Sequence, residues 1–191
     1  MLQTALNGML TAAWILGTVY STIPVFWLAI HPFAAQWRAR RGKIYPLIGL
    51  IWLAEIFAVL AVTRAYRHEV FYSNPWTWLL WVVFSLAASV LYRRIGTDFG
   101  LRRFIGKSEL RPKEEESRLI TTGMHGKVRH PIYLAHLLTL TGLMLGSGLK
   151  VLFAEWLFAV VTGVFMVRME EAELEDRFGE EYREYKRRVR V

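Results

Sequence analysis

Charge in this 191-residue sequence is gathered into blocks, and between the blocks lie five long runs almost free of it. A run of about 20 apolar residues, wound as a helix, matches the roughly 30 Å hydrocarbon core of a bilayer. Inside that core each backbone N–H and C=O must be satisfied by the segment itself, so such runs fold as helices. They are about Met9 to Ile30, Ile44 to Thr63, Pro75 to Tyr92, Pro131 to Leu149 and Val151 to Val167. The first lacks the basic leading region of a signal peptide and exceeds its length, so it reads as a membrane helix with Pro24 as a candidate kink. Trp76, Trp78 and Trp81 open the third run, where an interfacial aromatic belt sits.

The expected fold is therefore all-α, a polytopic membrane protein forming one domain over residues 1–191. Three transmembrane helices occupy 1–92, and a polar connector fills 93–130. Two more helices and a charged tail follow in 131–191. Gly146-Ser147-Gly148 turns the fourth helix into the fifth as an antiparallel hairpin. Gly142 and Gly146 give the fourth a G-x-x-x-G pair for close helix packing. In the tail, Leu174, Phe178, Tyr182, Tyr185 and Val189 recur at helical spacing, which predicts an amphipathic cytoplasmic helix with Gly179 as its weak point.

Hydrophobic residues make up 54% of the chain, above the roughly 45–50% of soluble proteins. A net charge of +8 would suit nucleic acid, but no basic segment belongs to a reading module. Positive-inside loops and anionic headgroups account for the charge, so the lipid bilayer is the expected partner and nucleic acid is not. Of the 24 lysines and arginines, 21 fall in the connector after run one, the connector after run three and the tail. That places the N-terminus outside and the C-terminus in the cytoplasm. With no cysteine, disulfides and thiolate-bound metal are excluded.

This orientation brings Leu119–Tyr133 and Glu170-Glu171 to one membrane face, at the adjacent ends of helices four and five. No Walker or Rossmann glycine motif and no H-E-x-x-H pair is present. His125, His130 and His136 lack the spacing that puts two ligands on one helical face, so no metal is expected. What remains suits a zwitterionic organic cofactor. Arg129 and His130 can bind a carboxylate, and Glu170 or Glu171 can accept from an amino group or ribose hydroxyls. Tyr133 or His125 can stack on a base. Gly123 and Gly126 permit close approach of backbone amides. Taken singly, each of these residues also has a plain reading. Lys127 and Arg129 can be positive-inside charges, His130-Pro131 a helix start, and the glutamate pair the start of a solvated helix. Glu55 interrupts run two and His136 lies one turn beyond Tyr133; both are candidate substrate contacts, as is Arg168. Glu155 reads as an interfacial acid near Lys150.

Four motif pieces resemble the isoprenylcysteine carboxyl methyltransferase family, and more distantly the phospholipid methyltransferases. They are Leu119-Ile120-Thr121-Thr122-Gly123, Arg129-His130-Pro131-Ile132-Tyr133, Glu170-Glu171, and Phe178-Gly179-Glu180-Glu181-Tyr182-Arg183-Glu184-Tyr185. The resemblance implies an integral membrane methyltransferase using S-adenosyl-L-methionine and a lipophilic acceptor: a prenylcysteine-like carboxylate, a phospholipid amine or a small thiol. It implies cofactor contacts at Ser117, Arg118, Leu119, Ile120, His125, His130, Pro131, Ile132, Tyr133, Glu170 and the adjoining Glu171. The chain departs from the family at Ser117, His125, Ala135, Met166 and Val189-Arg190-Val191, where the family has His, Tyr, Gly, Arg and Pro. The catalytic residue is not specified. Two alternatives stand beside this reading: an NADPH-dependent membrane reductase related to sterol reductases, and a non-catalytic membrane protein retaining the fold.

Overall fold

The computed structural model describes residues 2–39, 45–99 and 118–190. Ser117 and most of the connector lie outside them. Helices α1 (Leu2–Leu28) and α2 (Ala34–Ala39) flank a single 3₁₀ turn, His31–Phe33. Then come α3 (Tyr45–Thr63), α4 (Trp78–Phe99), α5 (Pro131–Ser147), α6 (Lys150–Phe178) and α7 (Glu180–Arg188). No strand occurs among the described residues; Val70 and Leu149 form one isolated antiparallel bridge.

Four segments are long and apolar enough to cross a bilayer: Gln3–Trp37, Pro46–Tyr66, Pro75–Gly96 and Lys150–Phe178. The outward faces of α3 and α4 carry Leu50, Phe57, Val62, Val83 and Leu86, each at least 60% exposed. Surfaces of that kind are stable against lipid rather than water. α5 differs from the expected span, since Pro131–Ser147 has 17 residues. At 1.5 Å per residue it is about 25 Å long, shorter than the roughly 30 Å core. Gly148, at φ +67°, ends it before Leu149.

The fifth helix also departs from expectation. It does not stop at Val167 but runs unbroken to Phe178, for 29 residues. Met, Glu, Ala and Leu dominate Met169–Leu174, and all favour helix. Nothing stops backbone hydrogen bonding where hydropathy falls. The break comes at Gly179, φ +57°, whose N–H bonds the Glu175 carbonyl before α7 begins. Leu174, Phe178, Tyr182, Tyr185 and Val189 then share one apolar cluster with Leu119.

Packing centres on two helix pairs, α4 with α5 and α1 with α6. The glycine pair of α5 serves the first. A Cβ on Gly142 would lie 2.7 Å from Phe84 Cβ, and one on Gly146 2.8 Å from Trp81 Cβ. The G-x-x-x-G face therefore seats α4, not the hairpin partner α6. Threonines join the other helices: Trp14 Nε1 donates to Thr63, Trp52 Nε1 to Thr22 and Trp156 Nε1 to Thr141, at 2.9, 3.1 and 2.9 Å. Glu155 does not pair with Lys150. It is buried between α1 and α6, where Thr18 donates to its Oε1 at 2.9 Å. Lys150 instead reaches Glu69 at 3.4 Å.

The link before α4 clasps the hairpin turn. Phe71 N–H donates to the Gly148 carbonyl (2.8 Å), Lys150 N–H to that of Glu69 (2.9 Å), and Tyr72 hydroxyl to that of Leu145 (2.7 Å). A Cβ on Gly148 would sit 2.6 Å from the Tyr72 carbonyl oxygen, at a φ that L-residues resist. Gly148→Ala should therefore cost on the order of 1–3 kcal/mol, read as a lowered thermal midpoint in detergent. Gly163→Ala, where a Cβ meets nothing within 4 Å, should leave the midpoint unchanged or slightly raised.

Candidate functional site at the end of helices five and six

Two short-range features set up the site from the α5 side. Residues 121–128 form a compact turn: Gly123 takes φ +60°, Gly126 N–H bonds the Thr122 carbonyl, and Val128 N–H bonds that of Met124. His130 then precedes α5, with Pro131 in its first turn, where the missing N–H costs nothing. The pair of glutamates comes from the extended part of α6, which exists because that helix continues past its apolar stretch. Arg129 and Glu171 are 42 residues apart in sequence and meet in space.

Glu171 gathers three cations. Arg129 Nε and Nη2 each approach its Oε1 at 2.9 Å, His130 Nε2 approaches the same oxygen at 3.3 Å, and Lys186 Nζ lies 2.9 Å from Oε2. Lys186 also binds Glu175 at 2.9 Å. The Arg129 guanidinium donates further to the Val189 carbonyl, and Arg129 N–H to that of Arg190 at 3.1 Å. From the other side, the Tyr185 hydroxyl donates to the His125 carbonyl at 2.6 Å. The turn, α6 and the tail helix α7 are thus one locked unit. Burial pushes the Tyr185 hydroxyl up to about 12, so it remains a donor throughout the physiological range.

Glu170 faces a different set of groups. Its Oε2 lies 3.0 Å from His130 Nδ1, and His31 and the Tyr133 hydroxyl stand beside it. Both ring nitrogens of His130 therefore face carboxylate oxygens. A neutral imidazole has one N–H and cannot donate to both; the imidazolium can. Burial alone would lower the His130 pKa, but Glu170 and Glu171 outweigh it and raise it to about 9. The ring lies nearly parallel to Tyr133, with centroids 5.8 Å apart and planes at 18°.

The residues expected from sequence divide into three groups. His130, Tyr133, Glu170 and Glu171 form the cluster itself, with Pro131 buried behind it and Ile132 half-buried. Leu119 joins the tail cluster, Ile120 is half-buried, Arg118 is exposed, and His125 is buried with its carbonyl engaged by Tyr185. Arg168 is exposed and Glu55 is half-buried on α3; neither joins an ion pair among the described residues. His136 sits one turn along α5, with Tyr20, Tyr92 and Tyr133 centroids at 5.7, 5.7 and 6.5 Å.

The main residue that sequence reasoning missed is His31, which reads as the start of a basic connector. It is buried, stacked on Trp27 and 3.4 Å from the Tyr133 hydroxyl. A signal was present: His31-Pro32 repeats the His130-Pro131 dipeptide, again with the proline opening a helical turn. Lys186 was missed too, hidden among the basic residues of the tail.

Four apolar helices of bilayer length, with a buried ionic cluster at one end of the bundle, define an all-helical integral membrane protein. The sequence model of the family described as "Protein of unknown function (DUF1295)" matches residues 33–189, and the chain belongs to that family. Comparisons with curated proteins and with solved structures returned no match.

The His130 pair gives the cluster a pH dependence of definite sign. Because its pKa is raised above the ordinary 6.5 to about 9, its stabilising contribution is complete below about pH 6.5 and is lost as pH rises through about 9. The contribution is at most about 3 kcal/mol. The thermal midpoint in detergent should fall between pH 7 and 10, and His130→Gln should remove that part of the fall.

Proposed function

We propose that the protein is an S-adenosyl-L-methionine-dependent integral membrane methyltransferase acting on a lipophilic acceptor. The carrying observation is the Glu170–His130 pair, 3.0 Å apart and flanked by the Tyr133 ring. A half-buried acid and a buried cation in contact can exchange each other for the ends of a zwitterion. Glu170 would take the cofactor's ammonium and His130 its carboxylate, each keeping a charged partner. That exchange avoids leaving an uncompensated buried charge, which would cost several kcal/mol. Glu171 is occupied by Arg129 and Lys186, so in this reading it holds the wall in place. The four motif pieces of the methyltransferase resemblance support the same reading, because two of them meet in this cluster, a third reaches the apolar face of the tail through Leu119, and the fourth carries α7.

Methyl transfer from a sulfonium is an in-line displacement, so holding donor and acceptor in register supplies much of the acceleration. The Tyr20–Tyr92–Tyr133–His136 group lies against the cluster on the bundle side. It is the natural place for an acceptor arriving from the bilayer. α5 counts as a fifth span in this reading, its ends reached by interfacial side chains, and the cluster lies on the cytoplasmic face.

Calorimetry of the purified protein tests the cofactor. S-adenosylmethionine and S-adenosylhomocysteine should bind, and NADPH should not. Glu170→Ala should weaken binding at least tenfold while the helical circular dichroism is unchanged. Binding of NADPH alone would replace the methyltransferase with a reductase.

Orientation is tested separately. The chain contains no cysteine, so single-cysteine variants need no prior removals. Lys127→Cys should react with an impermeant maleimide only from the cytoplasmic side, and Arg67→Cys only from the outside. The reverse pattern would invert the proposed topology.

A further inference from the structure

His31 is the buried group at this site whose chemistry is not used by the network around it. It is 3% exposed, and its Nδ1 has no hydrogen-bond partner among the described residues. Leaving a buried polar nitrogen in that state is costly, so its retention calls for a reason beyond packing. Its other nitrogen, Nε2, lies 3.4 Å from the Tyr133 hydroxyl. The ring is stacked on the Trp27 indole, with centroids 5.3 Å apart and planes at 19°.

Charged groups face His31 from α6 and from the residue before α5, while α1 contributes the Trp27 ring. From α6 come Glu170, Glu173 and Arg177, and from the α5 side His130; Tyr133 of α5 supplies the hydroxyl. Glu173 is itself paired with Arg177 at 3.4 Å. An imidazolium formed at His31 would have the Glu170 carboxylate near it and an indole face beneath it. Both favour a cation there, against the burial and the His130 and Arg177 charges that oppose one. The surroundings are those of a group that gains a proton during a reaction, and Tyr133 is the contact through which the proton can arrive.

We infer that Tyr133 and His31 are a proton-accepting pair, and that the methyl acceptor is accordingly an amine or a thiol rather than a carboxylate. The inference rests on the methyltransferase reading and names its substrate class. In the step, the acceptor's nitrogen or sulfur attacks the methyl carbon of a sulfonium donor. The carbon–sulfur bond of the donor breaks and its electron pair stays on sulfur, giving a thioether. With Glu170, otherwise a partner of the Tyr133 hydroxyl, taken by the donor's ammonium, the acceptor's proton passes to the Tyr133 oxygen as the Tyr133 proton passes to His31 Nε2. A carboxylate acceptor carries no such proton and would leave the pair idle. A base oriented by a second group is the recurrent arrangement for activating a nucleophile.

The test uses full-length protein in detergent with decylamine, decanethiol and decanoate as probes. His31→Gln and Tyr133→Phe keep shape and stacking while removing the proton-accepting atoms. His31→Gln should retain S-adenosylhomocysteine binding by calorimetry within about threefold, and Tyr133→Phe is compared at saturating donor because its hydroxyl stands beside Glu170. Each should lose about a hundredfold or more in single-turnover methylation of the amine or thiol. The double variant should be no worse than either single one, because the two act as a unit. The acid limb of the wild-type pH profile should vanish in His31→Gln. Independently of turnover, the His31 ring resonance in ¹⁵N-histidine spectra should shift when decylamine or decanethiol is added, and not with decanoate. No shift, a shift with decanoate, or a His31→Gln protein with wild-type rate and pH profile would overturn the pair while leaving the methyltransferase reading intact. Failure of the wild type to bind S-adenosylhomocysteine would instead remove that reading, and this inference with it.

Discussion

Glu171 is the fixed point of the ionic cluster at this end of the bundle. One carboxylate holds a guanidinium from the turn before α5, an imidazole ring at its start, and an ammonium from α7. Removing it would leave three cations facing one another in a half-buried space, a larger penalty than the loss of any single bond. The arrangement explains why the tail, polar as it is, stays folded against the bundle. Tyr182, Tyr185 and Val189 supply apolar contact, and the ion cluster sets the register. It also separates two neighbouring acids by role. Glu171 faces the lock, and Glu170, one residue earlier, faces His130, Tyr133 and His31.

Membrane packing sets the position of that lock. α5 is short and must approach α4 closely to be stable, which the two glycines over Trp81 and Phe84 allow. At its other end the Gly148 turn is clasped by the link before α4. With both ends pinned, the α5 start holds His130 and Tyr133 at a defined depth against α6. The methyl transfer we propose would need rigid helices of this kind, since small errors in alignment are costly in rate.

Most of the helical layout could be read from residue patterns. Apolar runs of bilayer length named the helices, because lipid leaves a backbone no other regular choice. His130, Tyr133, Glu170 and Glu171 were legible as candidates because unusual polar groups cluster where the chain meets the membrane. Three features were not legible. Helix α6 outlasts its apolar run, because backbone hydrogen bonding is indifferent to hydropathy and stops at Gly179. Glu155 is buried on Thr18, because a side chain's neighbours depend on helix rotation rather than on distance along the chain. His31 belongs to the cluster, because the turn that bears it folds over α6.

The sequence by itself determined the helices, the segregation of charge and the polar motif pieces, all consequences of local composition meeting a bilayer. Tertiary structure alone decided which acid is locked and which faces the bundle, which helix the glycine pair seats, and that His31 stands beside Tyr133. Those outcomes depend on the rotation and crossing of helices. A rotation of one residue, about 100°, would exchange Glu170 and Glu171, and no local pattern distinguishes them.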